Sequence, residues 1–169
     1  MPGYSSPILL DATVVSNFAS SGSILFLVRL RESTVVTPAV RDDITQGFQL
    51  GHEYLESAID AFDDTLPARG VPQDELLAEL RERLDAGEAE SLRGAIERDG
   101  TIATDDLAAR RIAKDRDQPV IGSIGLLVLG IQRGSIDRKT ADRWLDIWRN
   151  ERGYYAPVDS VNDVLDTEE

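Results

Sequence analysis

Apolar residues are concentrated in four short runs that are separated by longer segments with a helical pattern. The runs cover residues 7–10, 34–37, 101–104 and 119–121, and most of them are rich in branched side chains. Runs of this length and composition are typical of buried strands. Strands that alternate with helices favour right-handed crossovers and a parallel sheet. We therefore expect an α/β fold, a three-layer α/β/α arrangement with a central parallel sheet.

The segments between these runs predict helices. The Ser20-Ser21-Gly22 sequence breaks the first helical segment, and residues 70–72 interrupt an acidic stretch whose second half Asp74 can cap. Trp144 and Trp148 lie four positions apart on one face of an amphipathic segment, which we expect to pack in the core or in a dimer. The predicted helices cover residues 13–19, 24–31, 54–84, 86–98, 106–114, 122–131, 137–150 and 158–165, and a further helix begins at Pro38.

The length of 169 residues indicates a single domain with a full core. We assign residues 1–155 to this domain and residues 156–169 to a C-terminal extension that we expect to be partly frayed. The longest apolar stretch, residues 121–131, is interrupted by glycine and serine, so we expect no membrane span. The N-terminus has no basic segment followed by an apolar one, and we expect a cytoplasmic location.

The charge balance is strongly acidic. The chain has 31 Asp and Glu against 18 Lys and Arg, a formal net charge of -13, and its only lysines are Lys114 and Lys139. Such a surface repels nucleic acid at low salt. The composition resembles that of haloarchaeal proteins, which work in molar salt, where the Debye length falls to about 3 Å and the repulsion is screened. The net charge therefore says little about the ligand.

The chain lacks the residues that several common catalytic mechanisms require. The chain has no cysteine, and its one histidine, His52, has no HExxH partner and is expected at the surface. Neither a P-loop motif nor a Gly-x-Gly-x-x-Gly motif occurs, so no nucleotide site of either type is predicted. Carboxylates follow the apolar runs or begin helices instead. These acidic residues are Asp11, Asp42, Asp43, Glu88, Asp105 and Asp106.

Carboxylates at these positions predict a metal site. The carboxyl ends of parallel strands share one edge of a sheet, and ligands bind at that edge. Hard divalent cations prefer carboxylate oxygen, and such ions promote the hydrolysis of phosphate esters. A metal-dependent nuclease is therefore the enzyme class that these residues favour.

Five motifs in the same order resemble the PIN domain family and, more closely, its VapC-type toxin branch. The resemblance covers residues 8–155. The motifs are Leu10-Asp11-Ala12-Thr13 after a strand, a strand with Pro38 and an acidic helix start at 35–43, Leu-Asp-Ala-Gly-Glu-Ala-Glu at 84–90, the segment 105–113 with its two aspartates, and Gly122-Ser123-Ile124-Gly125. The chain departs from the family at Ala12, where threonine is common, and at Asp43, where glutamate is usual.

The resemblance implies an Mg²⁺- or Mn²⁺-dependent endoribonuclease, the toxin of a toxin–antitoxin pair. It implies RNA as the substrate and an antitoxin protein as a partner. It also implies that one or two ions activate water and stabilise charge on the scissile phosphate. The residues that it assigns as catalytic metal ligands are Asp11, Asp43, Glu88 and Asp106, with Asp105 as the alternative to Asp106.

The candidate residues also have structural interpretations. Asp11 and Asp106 can act as helix caps instead of ligands. Arg110, four residues after Asp106, can contact a substrate phosphate or form an ion pair within the acidic cluster. Ser123 can contact the substrate beside the metal or cap its helix. Asp85 is interpreted as a cap, and Asp42 and Glu90 are interpreted as solvated surface residues.

Other functions stay open. A PIN-like module that binds RNA or protein without cutting is favoured by Ala12 and by the acidity. A haloacid-dehalogenase-type phosphatase would need a second aspartate where Thr13 stands, and a response-regulator receiver would need an acidic pair where Asp11 stands alone. We also expect a homodimer, for which the face of Trp144 and Trp148 is one candidate contact.

Overall fold

A parallel sheet of four strands lies at the centre of the computed structural model, which describes residues 4–168 and their side chains up to residue 165. The strands are β1 (Ile8–Leu10), β2 (Thr34–Val35), β3 (Thr101–Ala103) and β4 (Val120–Ile121). All neighbouring pairs are parallel, and the order across the sheet is β2-β1-β3-β4. Helices cover both faces, so the predicted three-layer α/β/α fold is confirmed.

All four strands are shorter than the sequence predicts. Strands β2 and β3 end early because the last threonine of each predicted run bonds to the start of the following helix. The Thr37 hydroxyl accepts a hydrogen bond from the Val40 N–H, and the Thr104 hydroxyl accepts one from the Asp106 N–H. The helices are α1 (Ala12–Ser20), α2 (Ile24–Val28), α3 (Pro38–Gln49), α4 (Glu56–Phe62), α5 (Glu75–Arg81), α6 (Ala86–Glu97), α7 (Leu107–Asp115), α8 (Ser123–Gln132), α9 (Arg138–Arg152) and α10 (Val161–Glu168), with a 3₁₀ turn at Glu53–Leu55.

The helical stretch predicted over residues 54–84, with its interruption at residues 70–72, is wrong over residues 63–69. These residues are not helical, because residues 67–69 pair in parallel with the edge of the sheet. The Val36 N–H donates to the Pro67 carbonyl at 3.1 Å, and the Arg69 N–H donates to the Val36 carbonyl at 2.8 Å. Asp74 caps α5 as predicted, since its carboxylate accepts from the Leu77 N–H at 3.0 Å.

Successive side chains of a strand point to opposite faces of the sheet, and the hydrophobic core is accordingly divided into two clusters. Ile8 and Leu10 pack into the larger cluster, and Leu9 points to the other face and packs into the smaller one. Buried residues of α1, α2, α3, α4, α8, α9 and α10 belong to the larger cluster, and those of α5, α6 and α7 belong to the smaller one.

The tryptophan face of α9 is used inside the chain. Trp148 has no exposed surface, packs edge-on against Phe18 and donates its indole N–H to Ser21. Trp144 is partly buried and packs edge-on against the ring of Phe26, with centroids 5.5 Å apart. Core packing was one of the two roles expected for this face.

The C-terminal helix packs on the rest of the chain, since Val161 and Leu165 belong to the larger cluster. The last residue of the proposed extension, Glu169, lies outside the described residues. Within residues 4–168, none of the helices combines the length and the apolar character that a bilayer span requires.

Candidate active site

The candidate site lies where the neighbouring strands β1 and β3 reach their carboxyl ends. Strand order reverses between them, because β2 lies beyond β1 while β4 lies beyond β3. Such a reversal opens a crevice at the carboxyl edge of a parallel sheet. Asp11 follows β1, and Thr104 to Asp106 follow β3. The first turn of α6 adds further carboxylates to this edge, as the charges acting on Glu88 show.

Asp11 is held tightly in this crevice. Its side chain caps α1 by accepting from the Ala12 N–H at 2.6 Å, and it also accepts from the hydroxyl of Thr104 at 2.7 Å. It is only 3 % exposed. Burial raises the pKa of its carboxyl to about 6, with a smaller contribution from the charge of Asp85, against the opposing hydrogen bonds. The cap predicted as the alternative is therefore present, and it engages one of the two carboxylate oxygens.

Thr104 joins the two strand ends. Its hydroxyl donates to Oδ2 of Asp11 and accepts from the Asp106 N–H at 3.1 Å. The side chain is fully buried. Sequence reasoning placed Thr104 in a strand and gave it no role in the site, although its position directly before two aspartates was the available signal.

Glu88 lies among like charges in the first turn of α6. Its pKa is raised to about 8, first by burial and then by the carboxylates of Asp85, Asp106 and Asp11. Asp85 caps α6 as predicted, accepting from the Glu88 N–H at 2.8 Å. The charge of Asp85 also acts on Glu88 and Asp11, so Asp85 belongs to the acidic cluster. From the sequence, only the role of a cap was predicted for it.

Asp43 approaches the same helix from α3. A Cβ at Gly87 would lie 2.9 Å from Oδ2 of Asp43, so glycine at this position lets the carboxylate come close. The pKa of Asp43 is raised by burial and by the charges of Asp85, Asp42 and Glu90. The glycine of the Gly87-Glu88 pair thus allows α3 and α6 to bring their acids together.

The two consecutive aspartates after β3 have different surroundings. Asp106 caps α7, accepting from the Ala109 N–H at 2.8 Å, and its charge acts on Glu88. Asp105 accepts from the Ser123 N–H at 2.9 Å and from the Ser123 hydroxyl at 2.5 Å. The geometry therefore favours Asp106 over Asp105 as the member of the cluster.

Ser123 is not the helix cap that was one of its two predicted roles. Gly122 is the N-cap of α8, and Ser123 is the first helical residue. Ser123 is fully buried, and its hydroxyl bonds to Asp105 and to the Nδ2 of Asn17. This side chain therefore holds Asp105 in place, and its contact with a substrate stays a prediction.

Within the described chain, Arg110 does not form the ion pair that was one of its two expected contacts. Its Nη1 donates to the Thr104 carbonyl at 3.1 Å, and no ion pair of Arg110 occurs among residues 4–168. A Cβ at Gly122 would lie 2.9 Å from this nitrogen. The guanidinium is thus packed beside the end of β3, and contact with a substrate phosphate stays a prediction.

A second arginine lies near the site and was missed by the sequence interpretation. Arg152, at the end of α9, donates from Nε to Oδ1 of Asn17 at 2.8 Å. The same Asn17 side chain approaches Asp105 through Nδ2, at 3.4 Å. The Arg152 guanidinium also lies 5.6 Å from the ring centre of Tyr54, which is partly exposed. His52 lies at the surface beside Tyr54, as expected.

The prediction that Glu90 is solvated is wrong. Glu90 is 7 % exposed, accepts from the Ala39 N–H at 3.0 Å and pairs with Arg81 at 3.1 Å. The reason is that α6 packs against the start of α3, where unpaired N–H groups favour a carboxylate.

The side chains of this cluster fit a hard dication as ligands. Glu88 and the residues whose charges act on it are all carboxylates, and hard dications prefer carboxylate oxygen. A bound dication would favour their ionised forms. Within the described part of the chain, no three acidic or histidine side chains already stand at the spacing of metal ligands. Side-chain rotation is therefore needed before several of them can share one ion.

Comparison with known proteins agrees with the fold. The family model of the PIN domain matches residues 7–169. No match was found among curated proteins. PIN domains are generally nucleases, and they typically use divalent metals. Because the match spans nearly the whole chain, the chain belongs to the PIN domain family.

Proposed function

We propose that this chain is an Mg²⁺- or Mn²⁺-dependent endoribonuclease of the VapC-type toxin branch. The observation that carries the proposal is the crowding of Asp11, Asp85, Glu88 and Asp106, which after burial is the main reason that the pKa of Glu88 rises to about 8. Carboxylates crowded in this way are costly without a cation and become favourable with one. The residues that would hold the ion are Asp11, Asp43, Glu88 and Asp106.

The bound ion would lower the pKa of a water molecule and neutralise charge on the scissile phosphate. The chain's own residues set the position of the acids. The Thr104 hydroxyl holds Oδ2 of Asp11, and the Asp85 cap holds the first turn of α6 in place. Arg110 and Arg152 lie beside the site and supply positive charge for a phosphodiester.

Single-stranded RNA is the substrate that the rim of the site favours. Tyr54 is partly exposed, and Arg152 lies over its ring. An aromatic ring next to an arginine offers a stacking surface for a base and a contact for its phosphate. At high salt, where surface repulsion is screened, these local contacts outweigh the net charge of -13.

The first prediction tests the site through Asp11→Asn. The change keeps the size of the side chain but removes the charge, so Mn²⁺ binding should weaken and RNA cleavage should fall at least 100-fold. Cleavage of a labelled single-stranded RNA is measured in molar salt with Mn²⁺, and Mn²⁺ binding is measured by calorimetry.

The matched control is Asp115→Asn, at the opposite end of α7 from Asp106, which should cleave within about twofold of the wild type. Undiminished cleavage by Asp11→Asn would place the site elsewhere. A folded wild type that neither binds Mn²⁺ nor cuts single-stranded RNA would support the module that binds without cutting.

The toxin role predicts a genetic neighbour. A small reading frame directly upstream should encode a protein that binds this chain and stops its cleavage of RNA. The measurement is co-expression of the two products followed by the cleavage assay. An upstream product that leaves cleavage unchanged would count against the antitoxin partner.

We also propose a homodimer at high salt. The Trp144 and Trp148 face is packed inside the chain, so the contact must use another surface. Light scattering in molar salt should give twice the chain mass of 18.6 kDa. A monomer mass at high protein concentration would end this proposal.

A further inference from the structure

A cavity of about 500 Å³ opens at the amino-terminal edge of the sheet, opposite to the acidic site. Ser6 and Pro7 line it directly before β1, Ser33 and Thr34 line it at the start of β2, and Arg98 lines it shortly before β3. The volume lies in the range of small-molecule sites, which is about 300–1,000 Å³. The proposed nuclease chemistry makes no use of this edge.

Three arginines from distant parts of the chain meet around the cavity: Arg31, Arg69 and Arg98. Arg31 lies between α2 and β2. The backbone of Arg69 is fixed by its hydrogen bond to the Val36 carbonyl, and Arg98 is the C-cap of α6. All three side chains belong to exposed residues, so a ligand from solvent can reach them.

In the part of the chain that the structure describes, the arginines of this cavity have no carboxylate in direct contact, although the charge of Arg31 acts on the neighbouring Glu32 and lowers its pKa. Glu32 is the one carboxylate among the described lining residues, and both of its oxygens bond to Arg133. Arg31, Arg69 and Arg98 form no ion pair with any residue in the described chain. The absence of such pairs contrasts with the 31 acidic residues of the chain.

We propose that the cavity binds a small phosphorylated anion, of the size of pyrophosphate or a mononucleotide. Guanidinium groups stay charged at any physiological pH, and their forked donors match phosphate oxygens. The hydroxyls of Ser33 and Thr65, which also line the cavity, add neutral donors. Because the cavity lies on the opposite edge from the acids, this site is independent of the proposed nuclease function.

The test is calorimetric titration of the full chain with pyrophosphate and with 5′-AMP at fixed ionic strength. Binding by the wild type should weaken at least tenfold in the double variant Arg31→Gln/Arg69→Gln. The control is Arg83→Gln/Arg143→Gln, which removes the same charge from exposed positions outside the cavity and should bind within twofold of the wild type.

Two small ligands distinguish the source of the phosphate. Equal affinity for the two ligands means that the site recognises the phosphate groups alone. Tighter binding of 5′-AMP means that the site also contacts the nucleoside. Absence of binding to either, equal loss in the control, or binding of RNA alone would overturn the proposal.

A second measurement needs no variant and covers the case in which the double variant fails to fold. Phenylglyoxal modifies exposed arginines, and mass spectrometry of peptides locates the modified residues. Pyrophosphate should protect Arg31, Arg69 and Arg98 in the wild type and leave Arg83 reactive. Modification of the three cavity arginines at an unchanged rate would contradict the proposal.

Discussion

The role of each carboxylate in this protein follows from the groups around it. Asp105 and Asp106 are adjacent in the sequence, yet Asp105 is bound by Ser123 while Asp106 faces the charge of Glu88. Asp11 is buried and accepts a hydrogen bond from Thr104. Identical side chains thus serve as a structural anchor, a helix cap and a candidate ligand, because hydrogen-bond donors and burial differ within a few ångströms.

Thr104→Val tests how far one hydroxyl supports the site. Valine keeps the shape of the side chain but cannot donate a hydrogen bond to Asp11 or accept one from the Asp106 N–H. The free energy of unfolding of the variant should therefore be about 1–3 kcal/mol lower at pH 7. The loss should be smaller at pH 5, where more of Asp11 is protonated. Chemical denaturation at the two pH values measures both effects.

The control for this change is Thr104→Ser, which retains the hydroxyl and loses only a methyl group. It should be closer to the wild type than Thr104→Val at pH 7. Equal destabilisation by valine and serine would show that packing, and not the hydrogen bonds, makes Thr104 important.

Among the helices, α6 connects most of the features described above. Asp85 caps it, its first turn carries Glu88, and the buried Glu90 follows against α3. Arg98, the C-cap, lines the cavity of the opposite edge. The helix therefore spans from one edge of the sheet to the other. Substitutions in the first turn of α6 should therefore alter the positions of the clustered acids and leave the cavity at the opposite edge nearly unchanged.

Gly87→Ala separates helix stability from site geometry. Alanine favours a helix interior by about 1 kcal/mol over glycine, but its Cβ would lie 2.9 Å from Oδ2 of Asp43. The Asp43 carboxylate is the end of a side chain and can turn away, so the fold should survive. We expect near-normal thermal stability in EDTA, with weaker Mn²⁺ binding by calorimetry and slower RNA cleavage.

The same change in an Asp43→Ala background is the control. Without the carboxylate, Gly87→Ala should give its full stabilising effect, so the two substitutions should be non-additive. Unchanged Mn²⁺ affinity and cleavage in Gly87→Ala would show that the position of Asp43 does not matter for the metal.

Across the whole molecule, charge is distributed unevenly. Carboxylates crowd at the carboxyl edge of the sheet, and arginines gather at the amino edge. The long-range field of a chain with net charge -13 is screened by salt, whereas contacts within each cluster are much less so. Stability should therefore depend on the clusters more than on the total charge.

The stability of the metal-free protein should fall between pH 5 and pH 8. The folded state raises the pKa of Asp11 from 3.8 to about 6 and that of Glu88 from 4.5 to about 8. The folded chain thus holds more protons than the unfolded chain in this range, and its unfolding free energy decreases as pH rises. For the buried Asp11, full ionisation costs about 3 kcal/mol.

Thermal unfolding at constant molar salt in EDTA measures this slope, and Mn²⁺ should reduce or reverse it by favouring the ionised forms. In Asp11→Asn/Glu88→Gln the slope should become shallow, and the metal-free variant should be more stable than the wild type at pH 8. A melting temperature that does not change with pH, or a slope that both substitutions leave intact, would contradict the crowding of these acids.

Much of the fold and part of the site could be predicted from local pattern. The apolar runs marked the four strands, and the spacing of polar and apolar residues marked most of the helices. Both patterns involve residues only a few positions apart, so they can be recognised in a single sequence. The caps at Asp74 and Asp85 were found for the same reason, since a cap bonds to a backbone N–H three residues later.

Contacts between distant segments account for what the pattern missed. Asn17 and Asp105 are 88 positions apart, and Ala39 and Glu90 are 51 positions apart, so no local spacing could show that Asp105 is held or that Glu90 is buried. The membership of Asp85 in the acidic cluster and the meeting of Arg31, Arg69 and Arg98 likewise depend on how separate segments pack. Residue types and periodicity thus specify the elements and the available chemistry, while burial and mutual charge arise only when those elements are brought together.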